Sequence, residues 1–147
     1  MRNILTLNRT IYRLKVPSKK KALELMAEAF AAQEESFQPL EIFDRLVGRE
    51  RIGSTALGQG VAIPHARIPE VTQSMGCLML LSKGVDFEAQ DKIAVDLIYG
   101  FIVPLEPKPQ DLKMLADLAK LFSDESFRDK LRSASSHREL YERFIHP

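Results

Sequence analysis

Residues 49–67 read RERIGSTALGQGVAIPHAR and gather side chains that suit one kind of ligand. The stretch holds one histidine, His65, directly after Pro64. It also holds three glycines (Gly53, Gly58, Gly60), the pair Ser54-Thr55, and three arginines (Arg49, Arg51, Arg67). Imidazole has an unperturbed pKa of about 6.5, so its neutral, nucleophilic form is abundant near neutral pH, and histidine can form covalent intermediates. Arginine offers a planar fork of donors that matches phosphate oxygens. Glycines let backbone N–H groups approach an anion closely. Phosphoryl transfer asks a protein mainly for positioning and charge stabilisation, so these groups suit a phosphoryl group better than any other ligand. The usual nucleotide-binding loop is excluded, because no Gly-Lys-Ser/Thr follows the glycines. On chemistry alone, plain turns and an ordinary histidine remain the alternative to an anion site.

The same run resembles the active-site signature of the enzyme IIA domains of the bacterial phosphoenolpyruvate-dependent phosphotransferase system, fructose/mannitol/nitrogen type. That pattern is approximately R-E-x-x-G-S-T-x-x-x-x-G-x-A-x-P-H. It falls on Arg49, Glu50, Gly53, Ser54, Thr55, Gly60, Ala62, Pro64 and His65, all in register. The order of elements agrees over nearly the whole chain. The resemblance implies that His65 is phosphorylated by a small, histidine-phosphorylated carrier protein. It implies that Arg49 steadies the charge and that Ser54 and Thr55 hydrogen-bond the phosphoryl oxygens or brace the loop. No metal, nucleotide or other cofactor is invoked. Arg67 lies outside the matched pattern, and Arg51 is as well explained by a solvent-facing position.

One departure stands out. Many members carry a second histidine beside the first, in an H-L-x-x-L pattern at the start of a helix. The matching stretch here is Asp111-Leu112-Lys113-Met114-Leu115. A carboxylate at Asp111 can accept a hydrogen bond from His65 and fix its tautomer. It also repels a phosphoryl group. The alternative is a first-turn acid favoured by the helix dipole. A degenerate domain that binds partners without turning over phosphate stays open on this point.

The elements that must hold these residues can be read from periodicity. Residues 1–8 are hard to place. Residues 10–16 alternate, with Tyr12, Leu14 and Val16 on one face and Arg13 and Lys15 on the other, as in a half-buried strand. Ser18 is a fair N-cap for a helix whose stripe is Leu23, Met26, Ala27 and Phe30. Lys19, Lys20 and Lys21 open it and read as a solvated face. A second helix starts near Pro39, buries Ile42, Phe43, Leu46 and Val47, stops at Gly48, and delivers Arg49 and Arg51 to the site. Val61-Ala62-Ile63 is a short buried strand and Pro64 marks its end. Residues 68–73 form a loop. The apolar runs 75–81 and 93–103 fit strands buried on both faces, with a break at Lys83-Gly84. Asp86 and Asp91 read as turn residues, not metal ligands. Pro109 suits the first turn of a helix with the stripe Leu112, Leu115, Ala119 and Phe122. Residues 124–134 form a short helix through Phe127 and Leu131. Ser136 and Glu139 make a capping box for the last helix, which buries Leu140 and Phe144. His137 and His146 carry no motif and are assigned no function.

Mixed strands and helices predict an α/β domain spanning residues 1–147, with helices on both faces of the sheet. The resemblance adds that the central sheet is mixed. At 147 residues, 45% hydrophobic and 28% charged, the chain can bury a sizeable core. A net charge of +1 gives no reason to expect nucleic-acid binding. The one cysteine, Cys77, sits in an apolar run, excludes an intramolecular disulfide and fits a reducing compartment. No signal pattern or apolar run long enough to span a bilayer is present, so a cytoplasmic protein without membrane insertion is expected. The family splits into sugar-transport and regulatory branches. A chain without a fused membrane or carrier domain favours the nitrogen-related regulatory branch, whose partners are regulatory or transport proteins. The competing branch is a sugar-specific IIA component feeding a separate permease B domain.

Overall fold

A computed structural model describes residues 4–147. Two long strands form its centre. They are numbered here with the rest in chain order: β1 (Leu5–Leu14), α1 (Lys19–Ala31), α2 (Pro39–Ile52), β2 (Ala56–Gly58), β3 (Val61–Ala62), β4 (His65–Arg67), β5 (Met75–Val85), β6 (Val95–Val103), α3 (Pro109–Phe122), α4 (Glu125–Arg132) and α5 (His137–Ile145). The sheet order is β1-β5-β6-β3-β2, with β4 also paired to β6. β1 is parallel to β5, β5 antiparallel to β6, and both β3 and β4 parallel to β6. The mixed sheet that the resemblance implies is therefore present.

β5 and β6 are apolar on both faces because both faces are covered. Cys77, Met79, Leu81, Ile98 and Ile102 point to the side where α1 and α2 pack through Leu23, Met26, Phe30, Ile42 and Leu46. Leu78, Leu80, Leu97, Tyr99 and Phe101 point to the other, against Leu118, Phe122, Phe127, Leu131, Leu140 and Phe144 of α3–α5. The alternation is the period of two that a pleated strand imposes. On the second face Tyr99 stacks on Phe144 at 5.0 Å between ring centroids. Burial pushes the Cys77 thiol up to about 12, which keeps it unreactive. Among the described residues no helix is long and apolar enough to cross a membrane.

Several boundaries differ from the sequence reading. Residues 1–3 of the unplaced N-terminus lie outside the described residues, but Leu5 to Asn8 are strand. The alternation across residues 10–16 breaks at Arg13, whose φ of 52° accompanies a register shift between Tyr12 and Leu14. Tyr12 and Leu14 therefore serve opposite faces. α2 does not stop at Gly48; it runs to Ile52 with Gly53 at its C-cap. β5 runs through Lys83-Gly84 to Val85. The buried stripe of α3 is Leu118 and Phe122, while Leu112 is 59% exposed. Ser18 and Ser136 do cap their helices, accepting from the N–H groups of Lys21 and Glu139 at 3.1 Å.

Candidate functional site

The site begins with an interruption in a strand. β3 and β4 lie along the same side of β6, Val61 opposite Leu97 and His65 opposite Phe101, with one continuous offset. Ile63 and Pro64 fall between them. Pro64 has no N–H to give a ladder, yet its carbonyl still accepts from Phe101 N–H at 2.9 Å. The strand path is kept while two residues leave the ladder on one side. Ile63 uses its freed groups locally: its N–H donates to the Thr55 carbonyl at 3.1 Å, and its carbonyl lies 2.8 Å from Nδ1 of His65. A carbonyl can only accept, so Nδ1 carries the proton and Nε2 carries the lone pair.

His65 opens into a cavity of about 440 Å³. Arg45 and Arg49 reach it from α2, Arg67 from β4, and Asp111 and Leu112 from the start of α3. Burial lowers the His65 pKa below the ordinary imidazole value, the Ile63 hydrogen bond opposes this, Arg49 adds to the lowering, and Glu50 opposes it. The neutral ring is thus favoured at neutral pH. A half-buried imidazole with one nitrogen committed, the other bearing a lone pair, and arginines on the same cavity is arranged for attack on an anionic electrophile.

The residues singled out from sequence divide into three groups. Arg49 shares the cavity with His65 and donates through Nη1 to the Gly53 carbonyl at 2.9 Å, tying the helix end to the loop that follows. Arg67 lines the cavity too, and its carbonyl accepts from Arg45 at 3.3 Å. Arg51 lies instead on a different depression, with Lys19, Lys20, Phe43 and Glu88.

Ser54 and Thr55 form the second group. The Ser54 hydroxyl donates to the Phe87 carbonyl at 2.6 Å and accepts from Ala56 N–H. Thr55 is buried and donates both its N–H and its hydroxyl to Glu50. Both hydroxyls brace the loop. Neither lines the cavity.

Asp111 is the third case. It lines the cavity as its position predicts, but it makes no hydrogen bond to His65, whose Nδ1–H goes to the main chain. Its carboxylate accepts from Lys108 N–H at 2.8 Å, as a first-turn capping acid, and from the Ser74 hydroxyl at 2.5 Å. Asp86 and Asp91 accept from backbone N–H groups of their own turns, Glu88 and Ile93 respectively.

The structure also brings in residues that sequence reasoning passed over. Arg45 sits one helical turn before Arg49 on the same face, a spacing visible in the sequence. Lys19 does not lie on a solvated face: its ammonium lies 2.9 Å from Glu50, and its side chain is 16% exposed. Glu50 belongs to the matched signature, yet nothing local assigned it a task. The Gly58-Gln59-Gly60 turn, with φ values of 89°, 58° and 78°, is clamped from outside. Asp91 accepts from Gln59 N–H at 2.8 Å, and Arg132 donates to the Gln59 carbonyl at 2.7 Å.

The family described as "Phosphoenolpyruvate-dependent sugar phosphotransferase system, EIIA 2" matches residues 3–146. A nitrogen regulatory protein of Pseudomonas aeruginosa is 35% identical over 97% of this chain and 92% of its own length. The crystal structure of the nitrogen regulatory protein IIA-Ntr from Neisseria meningitidis superposes with a TM-score of 0.90 at 36% identity, covering 97% of each chain. That of IIA mannitol from Escherichia coli superposes at 0.72 with 22% identity over 92% of this chain and 95% of its own, a likeness of fold. A match across all but the ends of the sequence, a superposition of that closeness and a histidine held as described have one common reading: this chain belongs to the EIIA type 2 family of the phosphoenolpyruvate-dependent sugar phosphotransferase system.

Proposed function

We propose that the chain is a single-domain phosphoryl carrier in which Nε2 of His65 accepts a phosphoryl group from a phosphohistidine on a small carrier protein. The observation that carries this reading is the hydrogen bond from Nδ1–H to the Ile63 carbonyl, because it leaves the nucleophilic lone pair on Nε2. In the transfer, that lone pair forms a bond to phosphorus while the donor's phosphorus–nitrogen bond breaks and its electron pair returns to the donor imidazole. The donor ring, protonated on its other nitrogen, leaves as neutral imidazole; the His65 ring, phosphorylated on Nε2 and protonated on Nδ1, carries the positive charge, and its Nδ1–H bond to Ile63 becomes charge-assisted. Arg49 offsets charge on the phosphoryl oxygens. Ser54 and Thr55 hold the loop. Asp111 holds the start of α3 and sets a negative charge across the cavity from the phosphoryl group.

The nitrogen-regulatory names of relatives at 35–37% identity support the regulatory branch, in which the phosphorylation state of His65 decides which proteins the domain engages. The test is intact-mass detection after incubation with phosphoenolpyruvate, the system's first enzyme and its small phosphocarrier. One acid-labile phosphate is expected on the native chain and none on His65→Ala. A labelled His65→Ala would refute the assignment. Sugar phosphate formed on adding a permease B domain would replace the regulatory reading with transport.

A further inference from the structure

From the hydrogen bonds behind the site we infer that Glu50, held by Lys19, is a positioning residue that sets the ring of His65 through Thr55 and Ile63. The links run without a gap. Lys19 Nζ lies 2.9 Å from Glu50 Oε2. Oε2 accepts from Thr55 N–H at 3.1 Å, and Oε1 accepts from the Thr55 hydroxyl. The Thr55 carbonyl accepts from Ile63 N–H at 3.1 Å. The Ile63 carbonyl accepts from His65 Nδ1–H at 2.8 Å. Ammonium, carboxylate, two peptide groups and an imidazole form one polar series.

A buried carboxylate is costly unless it is paired and its oxygens are used. Glu50 is 8% exposed, and both of its oxygens are engaged with the same threonine. That arrangement fixes the height and tilt of residue 55, and with it the peptide at Ile63. The loop is pinned a second time by the hydroxyl of Ser54 on the Phe87 carbonyl. The Phe87 ring in turn lies 5.1 Å from the Lys19 ammonium. Two contacts on one short loop over-determine its position, as a site needs when a supporting peptide must not drift. The effect falls where it matters. As Nε2 attacks, positive charge develops on the ring, and the hydrogen bond at Nδ1 is the one that strengthens. A displaced Ile63 carbonyl weakens that bond most at the transition state.

The role rests on reading His65 as the phosphoryl acceptor, but its geometric half is measurable without any transfer. Nitrogen-15 NMR of the His65 ring in the unphosphorylated full chain reads the tautomer directly. The native chain should show Nδ1–H. In Glu50→Ala and Thr55→Val the Nε2–H tautomer should gain population. Their saturated phosphorylation rate should fall about tenfold, the weight of one net hydrogen bond, at an unchanged half-saturating donor concentration. Glu50→Gln keeps an acceptor for Thr55 N–H and should restore most of the native tautomer. A folded Glu50→Ala protein whose ring stays Nδ1–H would overturn the inference. Should Glu50→Ala fail to fold, an unchanged tautomer in Thr55→Val does the same. A shifted tautomer in a chain that accepts no phosphate would refute the carrier reading and leave the positioning role standing.

Discussion

Asp111→Asn should make phosphorylated His65 more favourable, and the size of the effect follows from the cavity. His65 and Asp111 line the same space of about 440 Å³. A sphere of that volume is about 9 Å across, and two unit charges at that separation interact by about 1–2 kcal/mol for an effective dielectric of about 20–40. Removing the Asp111 charge therefore favours the phosphoryl form by about 5- to 30-fold. Asparagine keeps the size of the side chain, and its carbonyl can still accept from Lys108 N–H, so α3 should hold. The lost helix-dipole contribution of about 0.3–1 kcal/mol bears on stability, not on the transfer equilibrium. The assay mixes charged donor carrier with the native chain or Asp111→Asn and reads both phosphorylated fractions at equilibrium by intact mass. The difference should shrink as salt rises, because the Debye length at about 0.1 M salt is about 10 Å, comparable to the cavity. Equal equilibrium fractions at low salt would refute the idea that this carboxylate opposes the phosphoryl group. Asp111→His should shift the balance in the same direction.

Other outcomes follow from the same geometry. Arg49→Ala should slow phosphorylation about 10- to 150-fold, the range for losing a hydrogen bond to a charged group of about 1.5–3 kcal/mol, while Arg49→Lys should fall between, since lysine lacks the fork. The same Arg49→Ala change removes a cation that lowers the His65 pKa, so an NMR titration should show the midpoint rise. Because the folded pKa lies below the ordinary value, the rate of transfer to His65 should stay level as pH falls through about 6.5 and decline only below it. Over that window the unfolded chain binds a proton that the native chain does not, so stability rises with pH and is lost as pH falls; a rate profile centred at or above 6.5 would contradict the burial argument. Gly60→Ala places a Cβ 2.6 Å from Arg132 Nη2 at a φ of 78°, and should cost about 2 kcal/mol in denaturant unfolding, part of it recovered when Arg132→Ala is added.

The layers and the strand interruption at His65 were legible in the sequence because both are written locally. The β5 and β6 runs are apolar without alternation, which only a doubly covered strand tolerates, and the helical stripes of α1 and α2 announce one of the covers. His65 follows a proline that must leave the ladder, so its place at a strand interruption could be anticipated. What was missed depends on distance in sequence. Lys19 pairs with Glu50, and Ser54 with Phe87, partners that no spacing rule joins. Gly48 reads as a helix stop, but it does not take the positive φ of a glycine that ends a helix, and α2 continues through it to Ile52. The alternation that defined β1 failed at Arg13 because a single residue with positive φ reverses which face its successors use. Of the two readings of Asp111, the hydrogen bonds show the first-turn acid. Its partners are Ser74 and the Lys108 N–H, the first of them in a loop that sequence alone could not bring near.

The charge around His65 gives the proposed switch a physical basis. Arg45, Arg49 and Arg67 face the cavity against the one carboxylate of Asp111, leaving two positive charges in excess. A phosphoryl group adds about −1.5 to −2, which cancels that excess nearly completely. Ile52, 83% exposed, and Leu112, 59% exposed, flank the same cavity and stay apolar in both states. A partner docking on these two residues would therefore meet a basic rim before phosphorylation and a near-neutral one after it. The apolar contact supplies attraction common to both states, and the arginines supply the difference. Neutralising Arg45 and Arg67 together, both exposed, should reduce the difference in partner affinity between the two forms, and by removing two positive charges from the cavity it should also make phosphorylated His65 less favourable, the opposite of Asp111→Asn. Titration calorimetry of each form with one partner protein reads it. Were the double variant to discriminate the two forms as sharply as the native chain, the switch would have to work by shape instead of charge.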